Sequence, residues 1–487
     1  MKKKWIPWGL LCAIILSSCG GQTETVENKT TAEVQTETEA VETEPVYPGT
    51  MDDLGGYTFT FLNHADEFWN AAHHILDYEE DSGVATESAV FRRNRKAEED
   101  LNITLAVEKD ELNNLRPLME KAILAGDDMY DVAYLCLLWG GATSFGADNV
   151  IDLKSISTMH LDEEWWNQIF IEEATVRGKL YTTVDYVNRM GFVYCNSMFF
   201  NYDMMVNMGL EFPYDHVREG TWTYDTMFAY MTDVVNPGTQ ADWKPLLSGD
   251  AQYGYACEHE EGLLALLQGS GQFMTVKNAE GIPTLRTDYS LLSDAYDSLI
   301  SGMSGDGVCA MINTAELQGV HIFQQGRSMF YPGYIGLSDT PGFRDMETRY
   351  GIIPIPKMDE TQELYSNSIS SYTLAMNIPI VASDPERTGL VMDYLAFLSY
   401  QNVIPVVQEA MCYKGLRDED SIEMLEIILE TEVLDFGNCT GITNGFLNSV
   451  CKDILSGNNK FVSTYTSQSK SMEGNIEKLF PAEDGIN

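Results

Sequence analysis

Strand-like and helix-like patterns of hydrophobic and polar residues follow one another in the first third of the chain. The runs at 57–62, 103–107 and 130–136 are rich in apolar β-formers and predict three strands. The segments between these strands are predicted to be helices, because 89–100 has the spacing of charged residues typical of a helix and 112–125 is amphipathic. The order strand, helix, strand, helix, strand predicts a parallel α/β sheet with right-handed crossovers.

Ligands of open α/β sheets bind beyond the carboxyl ends of the strands. The loops expected there are 63–69 and 138–144, and each carries a tryptophan, Trp69 and Trp139, beside polar groups. Both tryptophans are therefore candidates for ligand contact.

The middle of the chain continues the mixed pattern. A polar extended run at 185–190 leads into the apolar segment 191–196, and the pattern predicts a helix over 198–208. Thr223 is the expected N-cap of another helix. From residue 50 onward the chain is long enough for two domains with separate cores.

The N-terminus has the features of an export signal. Three lysines at 2–4 precede an apolar run at 5–16, which is too short to be a stable membrane span. The run ends in Leu-Ser-Ser-Cys19, which resembles a bacterial lipobox. That resemblance implies cleavage after residue 18 and diacylation of Cys19. An ordinary signal peptide with an incidental cysteine is the alternative.

Composition then separates a tether from the folded part. Residues 19–50 contain mostly Thr, Glu, Val, Gln and Gly, which cannot bury enough apolar surface to form a core. We expect a flexible acidic tether. The net charge is −44, and removal of residues 1–18 deletes three lysines and no acid, so it falls by three to −47. Such a charge argues against nucleic acid and anionic lipid as partners.

Several short motifs follow one another along nearly the whole mature chain: GKLY at 178–181, YCNSMF at 194–199, TWTYD at 221–225, the apolar helix and glycine pair at 263–273, FQQGRSMF at 323–330, YGIIPIP at 350–356 and SDPE at 383–386. Their order resembles the extracellular solute-binding protein family 1, the sugar-type receptors of ABC importers. Cys195 departs from the family pattern, in which the tyrosine and the asparagine are consecutive in the sequence, and this departure leaves the identity of the ligand open.

The resemblance implies a periplasmic-binding-protein-like type II fold, with two α/β lobes, a hinge and a ligand cleft between them. Lobe 1 is expected at 51–185 plus about 352–412, and lobe 2 at about 190–350 plus 413–487. Hinge strands are expected near 184–190 and 350–354, with a further crossing near 412.

Catalytic signatures are missing from the sequence. It lacks a nucleophile elbow, a phosphate loop, a His-Glu-x-x-His motif and a Cys-x-x-Cys pair. Two segments contain residue types that can bind metals: His73-His74 and the run 257–261. We expect both segments to be ordinary polar residues on the surface and not metal sites. We therefore expect no enzyme activity, no cofactor and no metal. The cysteines after Cys19 are expected to be buried free thiols.

A sugar-binding cleft stacks aromatic rings on apolar ring faces and places polar groups at their edges. The side chains of these types near the presumed strand ends and hinge form the candidate ligand site: Trp69, Trp139, Asp185, Tyr186, Asn188, Arg189, Tyr331, Tyr334, Ser370 and Tyr372. Trp165, Trp166 and Trp222 are expected to pack in the core.

These expectations combine into one function. The chain is expected to be a monomeric substrate-binding lipoprotein on the outer face of a bacterial cell membrane, held there by its lipid anchor. It would capture a small solute, with an oligosaccharide as the best class, and deliver it to an ABC permease with its ATPase. A surface glycan-binding or adhesion lipoprotein and a lipid-anchored glycoside hydrolase remain alternatives, and peptide or polyol ligands stay open.

Overall fold

The computed structural model describes residues 45–65, 72–146, 148–239, 243–416 and 418–481. The predictions about the signal peptide, Cys19, residues 19–44 of the tether and Trp69 lie outside the described residues. The rest of the chain from Tyr47 forms one compact unit.

The first sheet has four strands in the order β12-β3-β1-β2. Its strands are β1 (Tyr57–His64), β2 (Ile103–Asp110), β3 (Val132–Cys136) and β12 (Leu374–Asn377). β1 pairs in parallel with both β2 and β3, and β12 runs antiparallel to β3 with Leu374 opposite Cys136. The start of β12 therefore lies at the carboxyl end of β3.

The second sheet has five strands in the order β10-β4-β9-β5-β8. Its strands are β4 (Asn196–Asn201), β5 (Tyr253–Cys257), β8 (Cys309–Met311), β9 (Ser328–Tyr334) and β10 (Tyr350–Ile353). β5 is parallel to β8 and β9, whereas β4 is antiparallel to both β9 and β10. Two short pairs complete the strands: β6 (Thr275–Lys277) with β7 (Pro283–Leu285), and β11 (Asn367–Ser368) with β13 (Glu432–Val433).

Helices fill the connections of both sheets. Those in the first half of the chain are α1 (Ala85–Leu101), α2 (Leu112–Ala125), α3 (Leu137–Ser144), α4 (Gln168–Ala174), α5 (Met190–Val193), α6 (Tyr202–Met208), α7 (Tyr214–Glu219) and α8 (Tyr224–Val234). Those in the second half are α9 (Glu260–Gly269), α10 (Ser290–Met303), α11 (Gly319–Gln324), α12 (Pro341–Arg344), α13 (Pro385–Asn402), α14 (Ile404–Ala410), α15 (Glu419–Glu430), α16 (Phe436–Cys439), α17 (Asn444–Ile454) and α18 (Phe461–Leu479).

Two sequence predictions about local structure need correction. The helix predicted over 198–208 begins only at Tyr202, because Met198, Phe199 and Phe200 are fully buried in β4 between β9 and β10. A strand that is covered on both faces does not show the alternation of apolar and polar residues by which strands are recognised in a sequence. The stretch 138–144 is helix α3 and not a loop.

The chain leaves the five-stranded sheet later than expected. The predicted hinge at 350–354 is largely β10, an edge strand that pairs with β4, so the passage to the first sheet follows Ile353. On the earlier passage Thr183 still bridges to Met376 of β12, and β4 begins at Asn196. The lobe boundaries themselves stay a prediction.

The end of the expected tether is packed against the folded part. The Tyr47 hydroxyl donates to the fully buried Asp393 carboxylate at 2.8 Å, and its ring contacts Tyr394 at a centroid distance of 5.0 Å. Asp393 also accepts hydrogen bonds from the indoles of Trp165 and Trp166. The segment predicted to be flexible through residue 50 is therefore fixed from Tyr47 onward.

Among the described residues, one helical stretch, Pro385–Ala410, is long and apolar enough to cross a membrane. Its most apolar window is 72% buried inside the protein, as in the core helix of a globular domain. This stretch is therefore weak evidence for a membrane span.

Candidate ligand-binding site

The candidate site lies where the carboxyl ends of strands from both sheets meet. β3 continues directly into α3, which carries Trp139, and the segment before β12 brings Tyr372 to the same edge. β5 of the other sheet ends at Cys257 and is followed by Glu258, His259 and α9. Residues far apart in sequence are thus placed side by side.

A direct hydrogen bond joins the two edges. The Tyr372 hydroxyl donates to Oε1 of Glu261, in the first turn of α9, at 2.9 Å. The Trp139 ring meets Tyr372 edge to face at a centroid distance of 5.8 Å, and Trp139 is 38% exposed. This group, Trp139, Tyr372 and Glu261, combines apolar ring surface with a carboxylate that solvent can reach.

His259 pairs with the same carboxylate. Its Nδ1 contacts Glu261 Oε2, and this hydrogen bond raises the pKa of His259. Burial raises the pKa of Glu261, but the hydrogen bond and charge of His259 outweigh it, so the net pKa lies below its usual value. Glu261 is therefore held as a carboxylate.

A second aromatic group, Tyr331, Tyr334 and Tyr194, lies near the carboxyl end of β9 and the start of β4. Tyr331 donates its hydroxyl to Glu258 at 3.1 Å, and the backbone N–H of Val320 donates to the same carboxylate at 2.8 Å. Burial raises the pKa of Glu258 above its usual range. Tyr334 stacks on Tyr194 with ring centroids 4.0 Å apart.

Ser370 belongs to the same region. Its backbone N–H donates to the Tyr194 carbonyl at 2.9 Å, and its hydroxyl accepts from the N–H of Tyr372 at 3.3 Å. Of the sequence-predicted candidates, the structure thus brings together Trp139, Tyr334, Ser370 and Tyr372. Tyr331 lies in the same region but is buried, with 6% of its surface exposed.

The candidates near the first hinge lie in the interior instead. Asp185 is 1% exposed, and the Tyr134 hydroxyl donates to it at 2.8 Å. Tyr186 stacks on Tyr400, Asn188 is fully buried, and Arg189 donates to the Tyr78 hydroxyl at 3.1 Å. In this conformation these four side chains are enclosed by protein, and their role as ligand contacts stays a prediction.

Burial shifts the titration of this interior group. Removal from water raises the pKa of Asp185 to about 6, even though Asn188 and Tyr134 hydrogen bonds oppose the shift. The same effect lowers the pKa of the nearby His73 to about 3, with help from the charge of Arg189.

The expectation that His73 and His74 lie on the surface is wrong. His73 and His74, expected on the surface, are 4% and 1% exposed, because the segment that carries them packs against α5 and Gly336. In the described ranges no group of three or more His, Cys, Asp or Glu side chains is placed to hold a metal ion. The seven described cysteines are free thiols.

Sequence reasoning missed Glu258, Glu261 and Tyr194. The two glutamates belong to the run 257–261, which was considered only as a metal cluster. Recognition of 253–257 as a buried strand would have placed them at its carboxyl end, where ligands of α/β sheets bind. Tyr194 was visible only as part of a strand-helix motif.

Comparisons with solved structures identify proteins with a similar fold. The substrate-binding protein Lmo0181 of Listeria monocytogenes, in complex with cycloalternan, is 14% identical, with 87% of this chain and 98% of that chain covered at a TM-score of 0.54. UgpB of Mycobacterium tuberculosis, in complex with glycerophosphocholine, is 15% identical over 87% and 99%, with a TM-score of 0.56. A solute-binding protein of Thermotoga lettingae bound to α-D-tagatose is 12% identical over 86% and 100%, with a TM-score of 0.55.

This chain has the periplasmic solute-binding-protein fold. The predicted fold class is therefore confirmed, and the Listeria and Thermotoga structures are binding proteins of ABC transporters. No family profile and no curated sequence matches the chain. In a solute-binding protein fold, the meeting edges of the two sheets are where the ligand-binding side chains are expected.

Proposed function

We propose that this protein is a lipid-anchored substrate-binding protein of an ABC importer that captures an oligosaccharide. The observation that carries the proposal is the group formed by Trp139, Tyr372 and Glu261 at the meeting edges of the two sheets. Ring faces and a carboxylate side by side suit the apolar faces and hydroxyl edges of a sugar.

Capture would work by closure around the solute. A ligand that contacts Trp139 from one sheet and Glu261 from the other gains its full set of contacts only when the two edges are close. It therefore shifts the population toward the closed form by its differential affinity. The closed form would then dock on a permease, and no bond in the solute is broken.

The anchor belongs to the same proposal. Two acyl chains on Cys19, each buried methylene contributing about 0.8 kcal/mol, would keep the receptor at the outer membrane face. The tether from residue 19 to Tyr47 would then set how far the binding part reaches from the membrane, because Tyr47 is already fixed to Asp393.

A thermal-shift screen tests the proposed function. A panel of oligosaccharides, polyols and short peptides is added to the full chain, and a bound carbohydrate at 100-fold over its Kd should stabilise the fold by about 2.7 kcal/mol. Trp139→Ala should abolish most of that shift. Leu124→Ala, at an 89% exposed position on α2, is the control and should leave it intact.

Three results would count against the proposal. Stabilisation by peptides alone would reassign the ligand class. An unchanged shift in Trp139→Ala would move the site elsewhere. Appearance of shortened glycans after prolonged incubation would favour the hydrolase over the receptor.

A further inference from the structure

We infer that the ligand of this cleft carries a protonated amine, as in an amino sugar, and that Glu261 binds this amine. The inference rests on the proposed function, because it names the ligand chemistry of the same site.

The side chain of Glu261 is partly open to a ligand, although its Oε2 is buried. Its side chain is 30% exposed, and it stands in the first turn of α9 beside the half-buried ring of Tyr372. Both of its oxygens have partners: Tyr372 donates a neutral O–H to Oε1, and His259 contacts Oε2. A ligand that enters between Tyr372 and Glu261 must replace at least the first of these donors.

The present partners indicate what kind of donor suits the position. His259, whose side chain is 46% exposed, supplies a cationic N–H to this carboxylate when protonated. An ammonium group provides three donors and a positive charge, so it can take the place of the Tyr372 hydroxyl at Oε1. A neutral hydroxyl supplies one donor and no charge, and charge-assisted hydrogen bonds are about twice as strong as neutral ones.

The aromatic side chains favour the same ligand. The rings of Trp139 and Tyr372 lie next to the carboxylate, and indole and phenol faces attract cations in addition to packing on sugar rings. An amino sugar presents both features at once: an apolar ring face and an ammonium at its edge.

His259 is the cation paired with Glu261 when it is protonated, and the nearby lysine is directed to a different carboxylate. Lys452 is directed to Glu260, with Nζ 3.7 Å from the carboxylate, and Arg189 is 1% exposed in the interior. The whole chain carries a net charge of −44, so its field draws cationic solutes toward the cleft.

The test compares matched pairs of sugars on the full-length protein. For each neutral mono- and oligosaccharide in a calorimetric panel, the analogue with one hydroxyl replaced by a free amine is titrated under the same conditions. The amino analogue of the bound scaffold should bind about tenfold or more tightly than the neutral sugar. Its affinity should fall more steeply with added salt.

Three variants assign the effect to Glu261. Glu261→Gln should weaken binding of the neutral sugar and of its amino analogue, and it should remove the difference in affinity between them. Glu260→Gln, one residue away and paired with Lys452, should keep the preference. Tyr372→Phe should also keep it, because the ring that meets Trp139 remains.

The outcomes separate this inference from the proposed function. If neutral sugars bind and their amino analogues bind no better, the inference is wrong and the proposed function stands. If no carbohydrate binds, the proposed function fails. If Glu261→Gln and Glu260→Gln reduce the preference equally, Glu261 is not the amine-binding residue. Should Glu261→Gln not fold, the wild-type comparison of matched pairs still decides.

Discussion

At the residue scale, Asp185 is a carboxylic acid enclosed by protein. It lies among Tyr134, Asn188 and the buried Arg93, and burial raises its pKa from 3.8 to about 6. The sequence shows an aspartate in a polar run beside a hinge, which suggests ligand contact. Enclosure by residues from distant segments is a tertiary property that no local pattern reports.

The raised pKa predicts a specific pH dependence of stability. The folded state binds the Asp185 proton more tightly than the unfolded chain, so its contribution to the unfolding free energy is complete below pH 3.8. That contribution falls by about 3 kcal/mol as the pH rises through about 6.

Denaturant unfolding of wild type and Asp185→Asn across this pH range measures the effect. The asparagine variant cannot titrate at this position. The contributions of the other acidic residues therefore cancel in the difference between the unfolding free energies of wild type and variant. The stability of wild type relative to the variant should fall as the pH rises. A difference that stays constant from pH 3.8 to about 7 would contradict the assigned environment.

At the element scale, helices and strands with a clear hydrophobic pattern were predicted correctly, and those without one were not. Helix α2 has the predicted bounds, Leu112–Ala125, because an amphipathic pattern ends at Gly126, which adopts a φ of 71°. β4 was mistaken for part of a helix, since a strand buried on both faces has no alternation. The helix containing Trp139 was missed because two glycines follow the tryptophan and weaken the helical pattern.

The approach of α11 to β5 is a second element-scale feature. A Cβ at Gly319, the first residue of α11, would overlap the main chain of Cys257. The next residue, Val320, donates its N–H to Glu258 at 2.8 Å. Gly319 therefore allows the helix to hold the loop that carries Glu258 and His259.

Substitution at two glycines should have opposite effects. Gly319→Ala should destabilise the fold by about 1–3 kcal/mol through overpacking and weaken ligand binding, because the loop after β5 must move. Gly474→Ala, in α18 with no atom within 4 Å of the added Cβ, should stabilise by about 0.5–1 kcal/mol. Thermal unfolding and ligand titration of both variants measure this. Equal ligand affinity of wild type and Gly319→Ala would show that the close contact between α11 and β5 does not position the loop that carries Glu258 and His259.

At the scale of the whole molecule, the order of motifs along the chain predicted the fold class correctly. Each motif alone is weak evidence for a fold. The order of strands and helices, however, determines which sheet edges come together. The partners of the site could not be predicted in the same way. The contact between Tyr372 and Glu261 joins residues 111 positions apart, and it exists only because the edges of two separate sheets come together.

The anchor predicts a clear difference between two cysteines of the N-terminal segment. Cys19→Ala should abolish incorporation of labelled fatty acid and release the protein from the membrane fraction of a bacterial host. Cys12→Ala lies within the segment that would be removed, so it should leave labelling intact. Absence of labelling in the wild-type protein would support an ordinary signal peptide, and labelling that persists in Cys19→Ala would contradict acylation of Cys19.

Calorimetric titration of the full-length protein with the carbohydrate that gives the largest thermal shift tests the central claim most directly. Wild type should bind one molecule per chain with saturable heat, and Trp139→Ala should lose about 2 kcal/mol or more of binding free energy. Leu124→Ala should match wild type. Absence of saturable binding to any carbohydrate, or equal affinity of wild type and Trp139→Ala, would contradict the account.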